Sequence, residues 1–109
     1  MAAVLDDVLT LVPERYEKDA AGVERPIKAS RQIYCQVGSI TRAEFAAAGR
    51  NGLNPELVFT VFAADYADER TILYNGQGYG VYRTYHVPAT DYLELYVQRK
   101  GGTNGAGRA

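Results

Sequence analysis

The chain contains one cysteine, Cys35, and one histidine, His86, the two members of a possible Cys–His nucleophile pair. Cys35 lies in an alternating run with Ile33 and Val37 on the apolar side, where a thiol is inert filler. His86 falls opposite Tyr85 and Val87 in a strand-like run, on a solvated face. The pair lacks the spacing and local signature of cysteine-nucleophile families, and one Cys with one His cannot supply the four ligands of a structural zinc site. Gly76-Gln-Gly78-Tyr-Gly80 has the look of a phosphate loop. The dinucleotide fingerprint, however, needs a helix after the glycines, and here a strand follows; these glycines are assigned to a turn and a bulge. Asp6, Asp7, Asp65, Asp68 and Glu69 sit at segment ends or in loops and read as solvated surface, not as a hydrolytic carboxylate pair. Tyr79, Tyr82, Tyr85, Tyr92 and Tyr96 with Arg83 and Arg99 offer an aromatic-basic face for single-stranded nucleic acid, as on an OB barrel. The competing assignment for the same rings is core and subunit interface. No catalytic residue, metal or cofactor is expected, and the chain is read as a non-enzyme.

Composition narrows the setting. A chain of 109 residues is the size of one domain, and burial of roughly 65% of its unfolded surface suffices for folding without disulfides or metal. Apolar residues make up 47% and charged residues 23%, a globular composition. Nine Tyr against three Phe and no Trp suit half-buried strands and interfaces. A net charge of −1 gives no electrostatic reason for avid DNA binding, so DNA is expected as a transient contact at most. Acids in the first residues, where a signal peptide needs basic ones, and the lack of an apolar run of about 20 residues predict synthesis in the cytoplasm and no membrane association.

These residues must be positioned by strands. Residues 8–16 alternate loosely, with Pro13 suggesting an edge strand or bulge, and residues 17–24 read as a hairpin loop around Gly22. In 31–37 the alternation is clean: Ile33, Cys35 and Val37 oppose Gln32, Tyr34 and Gln36. Thr41-Arg-Ala-Glu44 is a capping box flanked by Ile40 and Phe45 as a hydrophobic staple. It starts a helix of about two turns that Gly49 is placed to end in the left-handed conformation, too short to stand alone. Residues 57–63 form a nearly continuous apolar run, expected to be covered on both faces. Residues 71–74 and 79–87 flank Asn75-Gly76, a hairpin signal, and 92–97 alternate again. The predicted fold is all-β, a small single-domain barrel of about six strands with one short helix in an inter-strand excursion over about 39–56. Residues 1–7 read as an N-terminal extension, 8–99 as the barrel and 100–109 as a flexible tail.

Several segments, in order, resemble one family. Leu11-Val-Pro-Glu-Arg-Tyr-Glu-Lys-Asp19 with Gly22 is similar to the opening hairpin of the tailed-phage head-closure (head–tail connector, stopper) proteins. Cys35-Gln-Val-Gly-Ser-Ile-Thr-Arg-Ala-Glu-Phe45 and Ala48-Gly-Arg-Asn-Gly-Leu-Asn-Pro-Glu-Leu57 resemble its middle. Tyr74-Asn-Gly76 with Tyr79-Gly-Val-Tyr-Arg-Thr-Tyr85, then Asp91-Tyr-Leu-Glu-Leu-Tyr96, resemble its last hairpin and closing strand. The resemblance spans about residues 8–99, and its weight lies in the joint order of the segments. It implies a virion subunit at the head–tail interface, forming a ring of its own copies on assembly. Such a ring docks under the portal and adaptor proteins, closes the DNA channel after packaging and presents a surface to tail proteins. A neighbouring adaptor or tail-completion ring is the alternative within that setting. Within 39–56, Arg42, Glu44, Phe45, Arg50, Asn51 and Leu53 are the candidate channel-plug or ring-interface residues; the other reading has the helix capping the open end of the barrel.

Overall fold

Alternation of apolar and polar residues gives strands with one face toward a core, and the described residues hold six strands that surround one, with two short strands besides. The computed structural model describes residues 3–13, 16–18, 20–22, 24–26 and 30–100, with 16–18 and 24–26 described by backbone alone. In order the elements are β1 (Asp7–Val12), β2 (Tyr16–Lys18), β3 (Glu24–Pro26), β4 (Arg31–Ser39), α1 (Arg42–Gly49), β5 (Pro55–Phe62), β6 (Thr71–Tyr74), β7 (Gln77–His86) and β8 (Tyr92–Arg99). Six of them close into an antiparallel barrel in the order β1-β4-β5-β8-β7-β6, and β2 pairs with β3 as a separate hairpin. The expected all-β barrel with one helix in an inter-strand excursion is the architecture found.

The barrel is filled by one face of every strand. Leu9, Leu11, Cys35, Phe59, Val61, Ile72, Leu95 and Val97 are almost entirely shielded, with Ile33, Tyr79 and Val81 beside them. Phe59 sits at the centre, its ring edge-on to Tyr74 at 5.2 Å and to Tyr79 at 6.0 Å. Ile33 and Cys35 point inward while Gln32, Tyr34 and Gln36 are exposed, so the face assignment of β4 holds.

Several boundaries differ from expectation. β1 is paired on both sides, with β4 and β6, and is no edge strand; Pro13 follows it instead of interrupting it. Asp7 already belongs to β1, and Lys100 belongs to the barrel, its N–H donating to the Gly78 carbonyl at 3.0 Å. Residues 101–109 lie outside the described residues. The loop expected over 17–24 is shorter, because 16–18 and 24–26 already pair, while Gly22 does take a positive φ of 85°. β5 is covered on both faces only in part: Val58 and Thr60 on its outer side are half-buried, and Phe62 is exposed.

At Asn75-Gly76 both residues have positive φ, 50° and 77°, and Tyr74 faces Gln77 across the turn, as the hairpin signal requires. Gly78 and Gly80 do not form the bulge. They lie on the outer surface opposite Leu73 and Thr71, and a Cβ on Gly80 would meet the Lys100 stem at 3.7 Å. The Lys100 ammonium donates to the Thr71 hydroxyl at 2.8 Å. The bulge lies further on, where Val81 pairs with Val97 and Arg83 with Tyr96, leaving Tyr82 as the extra residue.

Candidate functional site

Residues Ile40 to Asn54 carry the chain from β4 to β5, and α1 is their centre. Thr41 is extended and its hydroxyl accepts from the Glu44 N–H at 3.1 Å, so the sequence signal for the helix start is correct. Its reciprocal half is not formed. The Glu44 carboxylate instead accepts from the Tyr82 hydroxyl at 2.7 Å and from Arg83 Nη2 at 2.5 Å and Nε at 3.4 Å. The bulge supplies this geometry. An extra residue in β7 sets Tyr82 and Arg83 side by side on the outer surface, where strict alternation would send one of them inward.

The cluster extends through Tyr96, whose neighbours Leu95 and Val97 point inward. The Arg83 guanidinium lies 4.0 Å from the centre of the Tyr96 ring, a cation–π contact, and Tyr82 approaches the same ring at 6.5 Å. The Tyr96 hydroxyl donates to Glu94 at 2.6 Å. The Arg83 hydrogen bond, assisted by that of Tyr82, holds the Glu44 carboxyl below its ordinary range against a smaller opposing effect of burial. Burial first, and then donation to Glu94, pushes the Tyr96 phenol up to about 12. The Glu44 carboxylate and the Tyr82 and Tyr96 hydroxyls all find partners within the cluster, whose chemistry is that of a clamp. It ties the first turn of α1 to β7 through the Glu44 side chain, while the helix lies beside β5.

The helix end also differs from expectation. Gly49 is helical, and the left-handed residue is Gly52, with φ of 77°. The Leu53 N–H donates to the Ala48 carbonyl and the Gly52 N–H to that of Gly49, each at 3.0 Å, a Schellman closure three residues later than predicted. Asn51 Nδ2 donates to the Ala47 carbonyl at 3.3 Å. Of α1 only Ala48 is buried.

The six residues singled out from the sequence therefore divide. Glu44 is consumed by the clamp, Asn51 and the half-buried Leu53 close the helix, and Arg42, Phe45 and Arg50 face outward. Phe45 is 54% exposed, and neither arginine has an ion-pair partner among the described residues. Nothing in the local sequence points to Tyr82 as the partner of Glu44, or to Asp7, which accepts from the Tyr74 hydroxyl at 2.6 Å. Both contacts join residues far apart in the chain, and no local spacing reports them.

The other candidates are dispersed. The Cys35 thiol is wholly buried, and burial, reinforced by Asp7 and Asp6, pushes it up to about 12. His86 is exposed beside Phe62, Asp65 and Asp91 at the rim, and no hydrogen bond joins it to Cys35 among the described residues. Of the five tyrosines of the proposed stacking face, Tyr79 is in the core, Tyr82 and Tyr96 are in the clamp and Tyr92 stacks on Phe62 at 5.5 Å. Arg83 and Arg99 are paired with Glu44 and Glu56. Tyr85, at 46% exposure, is left with an open ring, which makes a poor platform for successive bases.

No protein-family model matches the chain. A search of curated proteins likewise finds no match.

Proposed function

We propose that this chain is a structural subunit of the head–tail junction of a tailed phage, acting in head closure. It docks under the portal or adaptor, closes the DNA channel after packaging and offers the tail its attachment surface. The observation that carries this reading is the helical excursion: residues resembling the family's middle segment leave a rigid closed barrel between β4 and β5 and display Phe45 flanked by Arg42 and Arg50. An exposed aromatic with arginines that have no ion-pair partner among the described residues, on a helix clamped to a barrel, is the composition of a protein-contact anchor. Adaptor and tail-completion rings are the neighbouring alternatives.

The test is electron microscopy of DNA-filled particles from a strain lacking the gene, with DNA retention quantified. Tailless heads that leak DNA, and are rescued by the purified protein, establish head closure. Intact tailed particles that keep their DNA reject it, and oligonucleotide binding with its salt dependence becomes the next measurement.

A further inference from the structure

A cleft of about 310 Å³ opens at the rim of the barrel, lined by Phe62, Ala63, Ala64, Asp65, His86 and Asp91. Its parts come from the end of β5 with the 3-10 turn Ala63–Asp65 that follows, from the end of β7, and from the turn before β8. Hydrogen bonds pin these parts to one another. The Ala63 N–H donates to the Asp91 carbonyl at 2.8 Å, and the Val87 N–H to the Tyr92 carbonyl at 3.0 Å. The Thr90 hydroxyl donates to the Val87 carbonyl at 2.9 Å and accepts from the Tyr92 N–H at 3.1 Å. Phe62 and Tyr92 are register partners whose rings stack at 5.5 Å, and Phe62 still keeps 40% of its surface open. The charge of the cleft is one-sided. Asp65 and Asp91 line it and no Lys or Arg does, and neither carboxylate has a hydrogen bond or ion pair among the described residues. A metal ion is not the match, since no group of three His, Cys, Asp or Glu side chains among the described residues is placed to hold one.

We infer that this cleft receives an arginine side chain displayed by a partner protein. An aromatic ring beside two uncompensated carboxylates calls for an organic cation, and a planar one uses both features. The guanidinium lies against the Phe62 ring while its fork of N–H donors reaches Asp65 and Asp91. An ammonium group is a compact, strongly hydrated point charge and matches neither the ring nor the fork as well. The neutral His86 ring, on the side of the cleft, offers one further acceptor. The volume lies at the small end of ligand pockets and suits one side chain. Phe62, Ala64, His86 and Asp91 are exposed, so the cleft is shallow and leaves a free small cation largely hydrated. A side chain delivered by a protein surface is covered from behind by that surface, which is what an open cleft of this kind lacks. The pinned backbone means that little has to be ordered on binding. The inference goes beyond head closure and does not depend on it.

The test is an NMR titration of the isotope-labelled full chain with N-acetyl-arginine-methylamide, a capped arginine, at constant ionic strength. Saturable shifts are expected at the amides of residues 62–65, 86 and 91, with a millimolar Kd that rises with salt. Capped lysine and putrescine, run in parallel, are expected to bind several-fold more weakly. Asp65→Asn combined with Asp91→Asn keeps the shapes and removes both charges, and should weaken capped arginine about tenfold, as the loss of two exposed ion pairs requires. Phe62→Leu keeps the charges and removes the ring, and should weaken capped arginine more than capped lysine. Circular dichroism checks that the variants fold, and the comparison of ligands on the wild type is decisive without them. The inference is overturned by shifts that do not saturate or that fall elsewhere, and by capped lysine or putrescine binding as tightly as capped arginine. Unchanged binding by the folded Asp65→Asn, Asp91→Asn variant overturns it as well. DNA retention in particles is a separate readout, so failure of this cleft and failure of the head-closure role are distinguishable.

Discussion

Glu44 stands three residues after Thr41, and that spacing alone assigns its carboxylate to the Thr41 amide. In the folded chain Tyr82 and Arg83, 38 and 39 residues further on, take it instead, because a charge-assisted bond from a guanidinium is about twice as strong as a neutral one. Glu44→Gln keeps the shape and loses the ion pair, and should lower stability at neutral pH by about 1 kcal/mol in urea titrations. The pH dependence has a defined sign. Since the folded carboxyl lies below its ordinary 4.5, its contribution is complete above that value and is lost as pH falls through the lower folded one. The wild-type advantage over Glu44→Gln should therefore shrink on acidification below about 4.5, and a pH-independent difference would contradict the clamp. Cys35 gives a second prediction at this scale. A thiol fully buried and pushed up to about 12 should not react with a thiol reagent at pH 8 until denaturant is added. Rapid labelling of the native chain would show that the core opens.

The elements were legible where their signal is local. The strands around Ile33 and Leu95, the Asn75-Gly76 hairpin and the helix start at Thr41 all follow from the residues that form them, since periodicity and turn chemistry act over a few positions. What was not legible is pairing. The position of the bulge at Tyr82 depends on the register between β7 and β8, and the clamp depends on that bulge. The helix end was misplaced because Gly49 and Gly52 are equally suited by type, and only the contact of α1 with the barrel decides which one closes it. The two glycines now make opposite predictions. Gly49 is helical with open space at its Cβ, so Gly49→Ala should stabilise by about 0.5–1 kcal/mol. Gly52 has φ of 77°, so Gly52→Ala should destabilise by about 1 kcal/mol despite equally open space. Thermal melts of the two variants shifting in the same direction would refute the Schellman closure at Gly52.

At the scale of the whole molecule, stability is concentrated in one barrel interior. Phe59 is fully buried between the rings of Tyr74 and Tyr79, and Phe59→Ala should cost about 3–5 kcal/mol, a large part of the 5–15 kcal/mol typical of a domain. A variant with an unchanged denaturation midpoint would mean that the interior is not packed as described. The same closure that shields this interior also sets a timetable. β1 is the first strand of the chain, yet one of its two partners is β6, more than 50 residues later, and β8 must slot between β5 and β7. On the ribosome, every shorter nascent chain is an open sheet with at least one unpaired seam, and the barrel cannot seal until its closing strand has cleared the exit tunnel. Closure of the barrel thus waits for β8, and the non-local seam should make refolding take milliseconds to seconds.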